Sequence, residues 1–161
     1  MNVRELLSQG GMLDAGILAG DDINWSKYNA AIDPGGAEQL GIALAAELAP
    51  AAPEVVLVWE SAEDLVLGHI VARELGVAVV RAYDFDGLVR YVGSFPDRPR
   101  VALLADAFQD AFVLRALNSL VAQQGGTVIA TAALVPTPAV DGDPTARTLL
   151  GGALTNEGVA G

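Results

Sequence analysis

The chain lacks cysteine, and it has one lysine, one histidine and few aromatic residues, which make up 6% of its 161 positions. Without cysteine it forms no disulfide and no thiolate metal site, which agrees with a reducing compartment. Nine basic residues against 20 acidic ones give a net charge of −11. Phosphates of nucleic acid and acidic membrane surfaces require clustered cations. We therefore expect neither nucleic acid nor a membrane among its partners.

Long hydrophobic runs are also missing. A charge, glycine or proline interrupts each apolar segment before a membrane-spanning length of roughly 18 residues, and no basic leader precedes an apolar segment at the start. We expect a cytoplasmic protein. Hydrophobic residues, mainly Ala, Val and Leu, make up 52% of the chain. That fraction fills one sizeable core, and the length predicts one domain.

Apolar runs alternate with helix signals along the middle of the chain. A helix begins at Asp33-Pro34 and ends before Pro50, and Ser61 with Asp64 three residues later resembles a capping box. Strands are predicted at 54–59, 77–82 and 101–105, and a further strand ends at 135. Helices are predicted at 34–48, 62–75 and 112–121. This alternation predicts an α/β fold with a mostly parallel, twisted sheet of about five strands and helices on both faces.

Two segments depart from the alternation. Residues 83–99 combine Asp-Phe-Asp-Gly with a short alternating run, which predicts an antiparallel hairpin or a hood. Residues 136–161 are rich in Pro, Gly, Thr and Asp, and Leu149, Leu150 and Leu154 are their only apolar anchors. We assign 1–135 to one domain that includes the excursion, and 136–161 to a C-terminal extension of the same unit.

The loop at 106–112, between a predicted strand and a helix, lies where many α/β proteins bind phosphate. Such loops use glycines, hydroxyl groups or a cation, so that backbone N–H groups can approach the anion. Here the loop reads DAFQDAF, with two carboxylates and two phenyl rings. Asp110 fits a helix N-cap better than a ligand contact. Phe108 and Phe112 are expected to close the emptied pocket or pack in the core, with stacking on a base as the alternative.

The order of these pieces resembles the type I phosphoribosyltransferases, most nearly the orotate phosphoribosyltransferase group, over most of residues 2–135. The segments that carry the resemblance are LLSQGG (6–11), DINWSKY (22–28), VVLVWESAEDL (55–65), ELGV (74–77) and the strand and loop at 100–114. The resemblance implies the phosphoribosyltransferase fold and a homodimer. It also implies a site for phosphoribosyl pyrophosphate and a nucleobase.

The resemblance assigns site positions residue by residue. The ribose and phosphate loop falls on Ala105, Asp106, Gln109, Asp110, Ala111, Phe112 and Val113. The pyrophosphate loop falls on Trp59, Glu60, Ser61 and Ala62. Further possible ligand contacts are Arg81, Tyr83, Lys27 and Phe108.

One of the two adjacent acids that would contact the ribose is replaced by Ala105. Three other places replace anion-binding residues with acidic or bulky ones. The phosphate loop carries Asp110, and the basic positions after the strand at 77–82 fall on Tyr83 and Asp84. Bulky Trp59 and acidic Glu60 replace small residues at the pyrophosphate loop. Like charges repel, so this site is expected to disfavour an anionic substrate.

We therefore predict a phosphoribosyltransferase-like protein that has lost transferase activity and serves as a binding, regulatory or scaffolding domain, without a cofactor or metal site. The alternative is an active orotate-type enzyme that uses Asp106 for the ribose, Arg81 for pyrophosphate and Mg²⁺ to offset charge. A third possibility is a nucleotide or base binder that uses Trp59 and Phe108.

Two further interpretations concern charged side chains. The acids at 60–64, together with Asp106 and Asp110, could form an acidic cluster at the sheet edge, but solvated carboxylates at two helix N-termini are favoured. His69, the single histidine, is expected to be buried or to face a groove as a packing residue.

Overall fold

Strands and helices alternate along residues 32–149, the part of the chain that the computed structural model describes. The helices are α1 (Pro34–Leu48), α2 (Ala62–Leu75) and α3 (Ala111–Gln123), with 3₁₀ turns at Ala49–Ala51 and Pro138–Val140. The strands are β1 (Val55–Trp59), β2 (Ala78–Phe85), β3 (Leu88–Val92), β4 (Arg100–Ala105), β5 (Thr127–Ala133) and β6 (Ala146–Thr148). The segments at 6–11 and 22–28, which include Lys27, lie outside the described residues.

The strands form one sheet in the order β3-β2-β1-β4-β5-β6. All neighbours are parallel except β2 and β3, which are antiparallel. The predicted α/β class with a mostly parallel sheet is confirmed, although the sheet has six strands where about five were expected. The additional strand, β6, is three residues long and lies in a segment rich in Pro, Gly and Thr, where no periodic apolar pattern reveals a strand.

The helices cover both faces of the sheet. Helices α1 and α2 pack on one face and α3 packs on the other, and each interface has its own cluster of buried Leu, Val and Ala side chains. The side chains of 55–58 in β1 are fully buried, as expected for a central parallel strand. Leu149, just after β6, is buried in the cluster under α1 and α2. No helix among residues 32–149 is long and apolar enough to cross a membrane.

Helix α2 lies close to β1 because Gly68 has no side chain. A Cβ atom at this position would lie 2.7 Å from Cγ1 of Val58, whereas a Cβ at Gly35 in α1 would meet no heavy atom within 4 Å. We expect Gly68→Ala to lower the melting temperature, because overpacking costs about 1–3 kcal/mol and outweighs a gain in helix propensity of about 1 kcal/mol. Gly35→Ala is the matched control and should be neutral or stabilising. A Gly68→Ala protein that melts at or above the wild-type temperature would contradict this packing.

The excursion at 83–99 contains a tight β-hairpin. Asp86 and Gly87 form its turn with φ values of 53° and 76°, and two positive φ values are typical of the type I′ turn of two-residue hairpins. The carboxylate of Asp84 accepts a hydrogen bond of 3.1 Å from the backbone N–H of Gly87. The hairpin places β3 beside β2, at one edge of the sheet.

Candidate functional site

A crevice opens at the carboxyl ends of β1 and β4, the usual ligand-binding edge of a parallel sheet. Its volume is about 320 Å³. One wall comes from the end of β1 and the first turn of α2, and the other from the loop after β4 and the start of α3. The side chains on these walls are Trp59, Ser61, Glu63, Asp64, residues 105–110 and Val113.

Two carboxyl groups meet at the bottom of this crevice. The side chain of Asp64 is only 7% exposed, and its Oδ1 accepts a hydrogen bond of 2.7 Å from the backbone N–H of Asp106. Burial, and then the charge of Asp106, raise the pKa of Asp64 to about 7. The pKa of Asp106 is also raised, chiefly by burial. The favoured expectation of solvated acids was wrong for Asp64.

The position of Asp64 follows from its helix. Ser61 caps α2, and its Oγ accepts a hydrogen bond of 3.1 Å from the backbone N–H of Asp64. This places Asp64 in the first turn, directed across the sheet edge toward β4. In a capping box the acidic side chain returns to its own cap, but here it bonds the neighbouring loop. Pairing of β1 with β4 brings the two segments together, and the local sequence gives no sign of that pairing.

Three backbone N–H groups of the loop after β4 and the start of α3 donate hydrogen bonds within this segment. Oδ1 of Asp106 accepts a hydrogen bond of 2.6 Å from the N–H of Ala107, and the carbonyl of Ala107 accepts one of 3.0 Å from the N–H of Gln109. Asp110 is the N-cap of α3, and its carboxylate accepts a hydrogen bond of 2.7 Å from the N–H of Phe112. Carboxylate oxygens thus accept hydrogen bonds from N–H groups of the kind that bind the anion in a phosphate-binding loop.

The two phenyl rings of the loop lie in different environments. Phe108 is 2% exposed and belongs to the cluster under α3, as expected. Its carbonyl accepts a hydrogen bond of 2.7 Å from Oγ1 of Thr137, a buried residue that sequence reasoning did not single out. Phe112 is 50% exposed, so the expectation that it packs or closes the pocket was wrong. Helix α3 begins at Ala111, and its buried face is formed by Leu114 and the leucines that follow.

The remaining predicted positions are spread around the crevice. Trp59 is half-buried at its wall, Glu60 is exposed, and Ala62 is the first residue of α2. Ala111 and Phe112 are exposed in the first turn of α3.

The proposed cationic contact does not face the crevice. Arg81 lies on β2, where its guanidinium is 3.4 Å from the carboxylate of Glu60 in an exposed ion pair. Tyr83 lies two residues further along β2, and neither side chain lines the crevice. His69 is exposed on α2, so the expectation of a packing histidine was wrong.

The described residues offer little to a metal ion. Among residues 32–149 no group of three or more His, Asp or Glu side chains is arranged to hold one. The Asp64 carboxylate accepts a hydrogen bond from the backbone N–H of Asp106, and the Asp106 carboxylate accepts one from the backbone N–H of Ala107.

Solved structures with a similar arrangement of elements include phosphoribosyltransferases. A purine phosphoribosyltransferase from Pyrococcus horikoshii OT3 aligns with 69% of this chain and 79% of its own, at 20% identity and a TM-score of 0.54. An adenine phosphoribosyltransferase from Thermoanaerobacter pseudethanolicus aligns with 73% and 81%, at 18% identity and a TM-score of 0.60. One from Leishmania tarentolae aligns with 83% and 74%, at 16% identity and a TM-score of 0.62.

No family sequence model matches the chain, and no curated protein sequence matches it significantly. Identities of 20% or less show a common fold and not a common activity. A particular likeness to the orotate enzymes stays a prediction. The six-stranded sheet, the helices on its two faces and the structural alignments together establish that this chain has the fold of the type I phosphoribosyltransferases.

Proposed function

We propose that this chain is a phosphoribosyltransferase-fold protein without transferase activity, which acts as a binding, regulatory or scaffolding domain. The observation that carries the proposal is the loop at 106–112, in which carboxylates of the chain itself accept the hydrogen bonds that a phosphate would otherwise accept. A ligand phosphate would have to displace Asp110 from the N-terminus of α3.

Charge supports the same conclusion. Four carboxyl groups line the crevice, those of Glu63, Asp64, Asp106 and Asp110, and its described lining contains no Lys, Arg or His. Two like charges about 4 Å apart repel by on the order of 4 kcal/mol at an effective dielectric constant of 20. A substrate with several phosphate groups would meet this repulsion without a compensating cation from the lining.

The shape of the crevice leaves room for a smaller ligand. A volume of about 320 Å³ is at the lower end of the range for small-molecule pockets. Trp59 offers an aromatic surface at its wall, and the carboxyl groups accept hydrogen bonds from N–H donors. A nucleobase without a phosphate fits this chemistry better than a nucleotide does. Adenine is a reasonable first probe because the aligned structures include adenine phosphoribosyltransferases.

The test is a thermal-shift and calorimetric titration of the full chain with phosphoribosyl pyrophosphate and Mg²⁺. Binding at 100 times the dissociation constant would stabilise the protein by about 2.7 kcal/mol. We expect no shift, and no formation of nucleoside monophosphate when orotate or adenine is added. A clear shift, or turnover, would overturn the proposal in favour of the active enzyme that uses Asp106, Arg81 and Mg²⁺.

Adenine and adenosine monophosphate form a matched pair of probes for the ligand class. If the crevice takes a base, adenine should raise the melting temperature and the monophosphate should not, because only the latter brings a phosphate to the acidic loop. Stabilisation by the monophosphate but not by adenine would contradict the proposed ligand class.

A further inference from the structure

One hydrogen bond joins the two walls of the crevice at its floor. It runs from the backbone N–H of Asp106, in the loop after β4, to Oδ1 of Asp64 in the first turn of α2, and is 2.7 Å long. Among the described residues, no other hydrogen bond links α2 to 105–110. Beyond the paired part of β1 and β4, the distance between the walls therefore depends on how the Asp64 and Asp106 side chains interact.

The same loop is held from its other side by groups that do not ionise. The carbonyl of Asp106 accepts a hydrogen bond of 3.0 Å from the backbone N–H of Leu134, and the carbonyl of Phe108 accepts one of 2.7 Å from Oγ1 of Thr137. Neither bond changes with pH, because amide and hydroxyl groups keep their protons across the neutral range. A change of charge at the crevice floor therefore acts on the α2 side of the loop alone.

The two carboxyl groups are in contact away from water. Their side chains hydrogen-bond each other, Asp64 is 7% exposed and Asp106 is partly buried. Two buried carboxylates in contact repel, so such a pair holds one proton until the pH is high enough to remove it. Burial and the charge of Asp106 raise the pKa of Asp64 to about 7, which brings the loss of that proton into the neutral range.

The surrounding charges oppose the second ionisation. Glu63 on α2 raises the pKa of Asp106, and Asp110 adds a further carboxylate to the lining. Arg81 on β2 is paired with Glu60 at 3.4 Å and does not line the crevice. The dipole at the N-terminus of α2 favours a negative charge there whether or not the loop is close. The described lining therefore offers no cation that could stabilise both charges at once.

We propose that the Asp64–Asp106 pair is a pH-sensitive latch: with one proton it holds the loop at 106–110 against α2, and with both carboxylates charged it releases the loop and widens the crevice. The bonds from Leu134 and Thr137 keep the released loop attached to the segment after β5. The proton leaves to solvent through the open crevice, at whose floor the pair lies. The latch is independent of the proposed function and of which ligand the crevice binds.

Amide hydrogen exchange of the full chain between about pH 5.5 and about pH 8, corrected for the intrinsic pH dependence of exchange, measures the release. The protection factor of the Asp106 amide, which is the donor in the latch, should fall by about tenfold or more across this range, since one pKa unit corresponds to a factor of about ten. The amides of 55–58 in β1, which are fully buried, should fall less. A fall of equal size at both places would show general destabilisation and would overturn the latch.

Two variants remove the charge from either side of the latch. Asp64→Asn and Asp106→Asn each keep an oxygen that can accept the hydrogen bond of the original carboxylate, and each leaves one carboxylate at the floor. Both should keep the amide of residue 106 protected up to the highest pH. Asp110→Asn is the matched control, because it makes the same change in the same loop, at a helix cap that asparagine also fills well. It should retain the wild-type fall in protection.

Three further results would overturn the latch. The first is a protection factor at residue 106 of the wild type that does not change with pH. The second is a fall that persists in Asp64→Asn or Asp106→Asn, because the pair of charges is then not its cause. The third is loss of the fall in Asp110→Asn, which would assign it to the summed charge of the loop. The melting temperature of each variant reports whether it folds, and either variant of the pair tests the latch alone.

Discussion

Replacing Asp64 with asparagine is expected to raise the melting temperature at about pH 8 and to remove most of the stability loss between about pH 5 and pH 8. Burial and the neighbouring Asp106 raise the pKa of Asp64 from 3.8 to about 7 in the folded protein. Near pH 8 the wild type must keep a buried negative charge, whereas the asparagine side chain is neutral. Asparagine also retains an oxygen that can accept the hydrogen bond from the backbone N–H of Asp106.

The sign of the pH dependence follows from proton linkage. Below about pH 3, Asp64 is protonated in both states and does not change the free energy of unfolding with pH. At higher pH, Asp64 ionises first in the unfolded chain. The contribution of Asp64 to stability therefore falls as the pH rises, and it levels off above about pH 7. A difference of about three pKa units corresponds to on the order of 4 kcal/mol. In a domain of this size, that is roughly 10 °C in melting temperature.

Urea unfolding of wild type and Asp64→Asn at several pH values between about 5 and 8 measures this difference. The free energy of unfolding of the wild type should fall relative to that of Asp64→Asn as the pH rises from about 5 to about 7, and the difference should level off above that. Asp97→Asn, at an exposed position, removes one carboxylate without touching the pair and should keep the wild-type pH dependence. Equal slopes for wild type and Asp64→Asn would show that Asp64 ionises as freely in the folded state as in the unfolded one.

The second large effect is expected at Phe108. Its ring is 2% exposed under α3, and truncating a buried phenylalanine to alanine costs about 3–5 kcal/mol because a cavity replaces packed atoms. The ring also lies beneath the loop that carries Asp106 and Asp110. We therefore expect Phe108→Ala to destabilise the protein and to increase amide hydrogen exchange at 106–112.

Phe112→Ala is the matched control, since it makes the same chemical change four residues away. The ring of Phe112 is 50% exposed, so the free energy of unfolding should change by less than about 1 kcal/mol. Comparing both variants by urea unfolding separates the ring that supports the loop from the ring on the surface. Equal losses of stability for Phe108→Ala and Phe112→Ala would contradict the assigned burial.

Much of the fold could be read from local signals. Pro34 after the cap Asp33, Ser61 before α2 and Gly76 after it mark helix boundaries that the structure reproduces. The continuous apolar run of β1 marks a strand covered on both faces. These signals work because capping, backbone φ preferences and burial act within a few residues of the chain.

The candidate site was predictable only in part. The loop at 106–112 and the pyrophosphate-loop position at 59–62 were located from the order of elements, and the crevice lies between them. Neither the burial of Asp64 nor the exposure of Phe112 was foreseen. Both depend on which side chain of the first helical turn faces the sheet. The residue types at the start of a helix do not show which side chain that is.

By itself, the sequence determined the class of the fold, the helix ends and the acidic character of the sheet edge, because these depend on residue type and short-range pattern. Only the tertiary structure decided that Asp64 and Asp106 share one buried site, that Phe108 and not Phe112 supports the loop, and that β6 completes the sheet. Each of these requires two segments distant in sequence to pack together. Burial there sets the pKa values and stability that a local pattern does not encode.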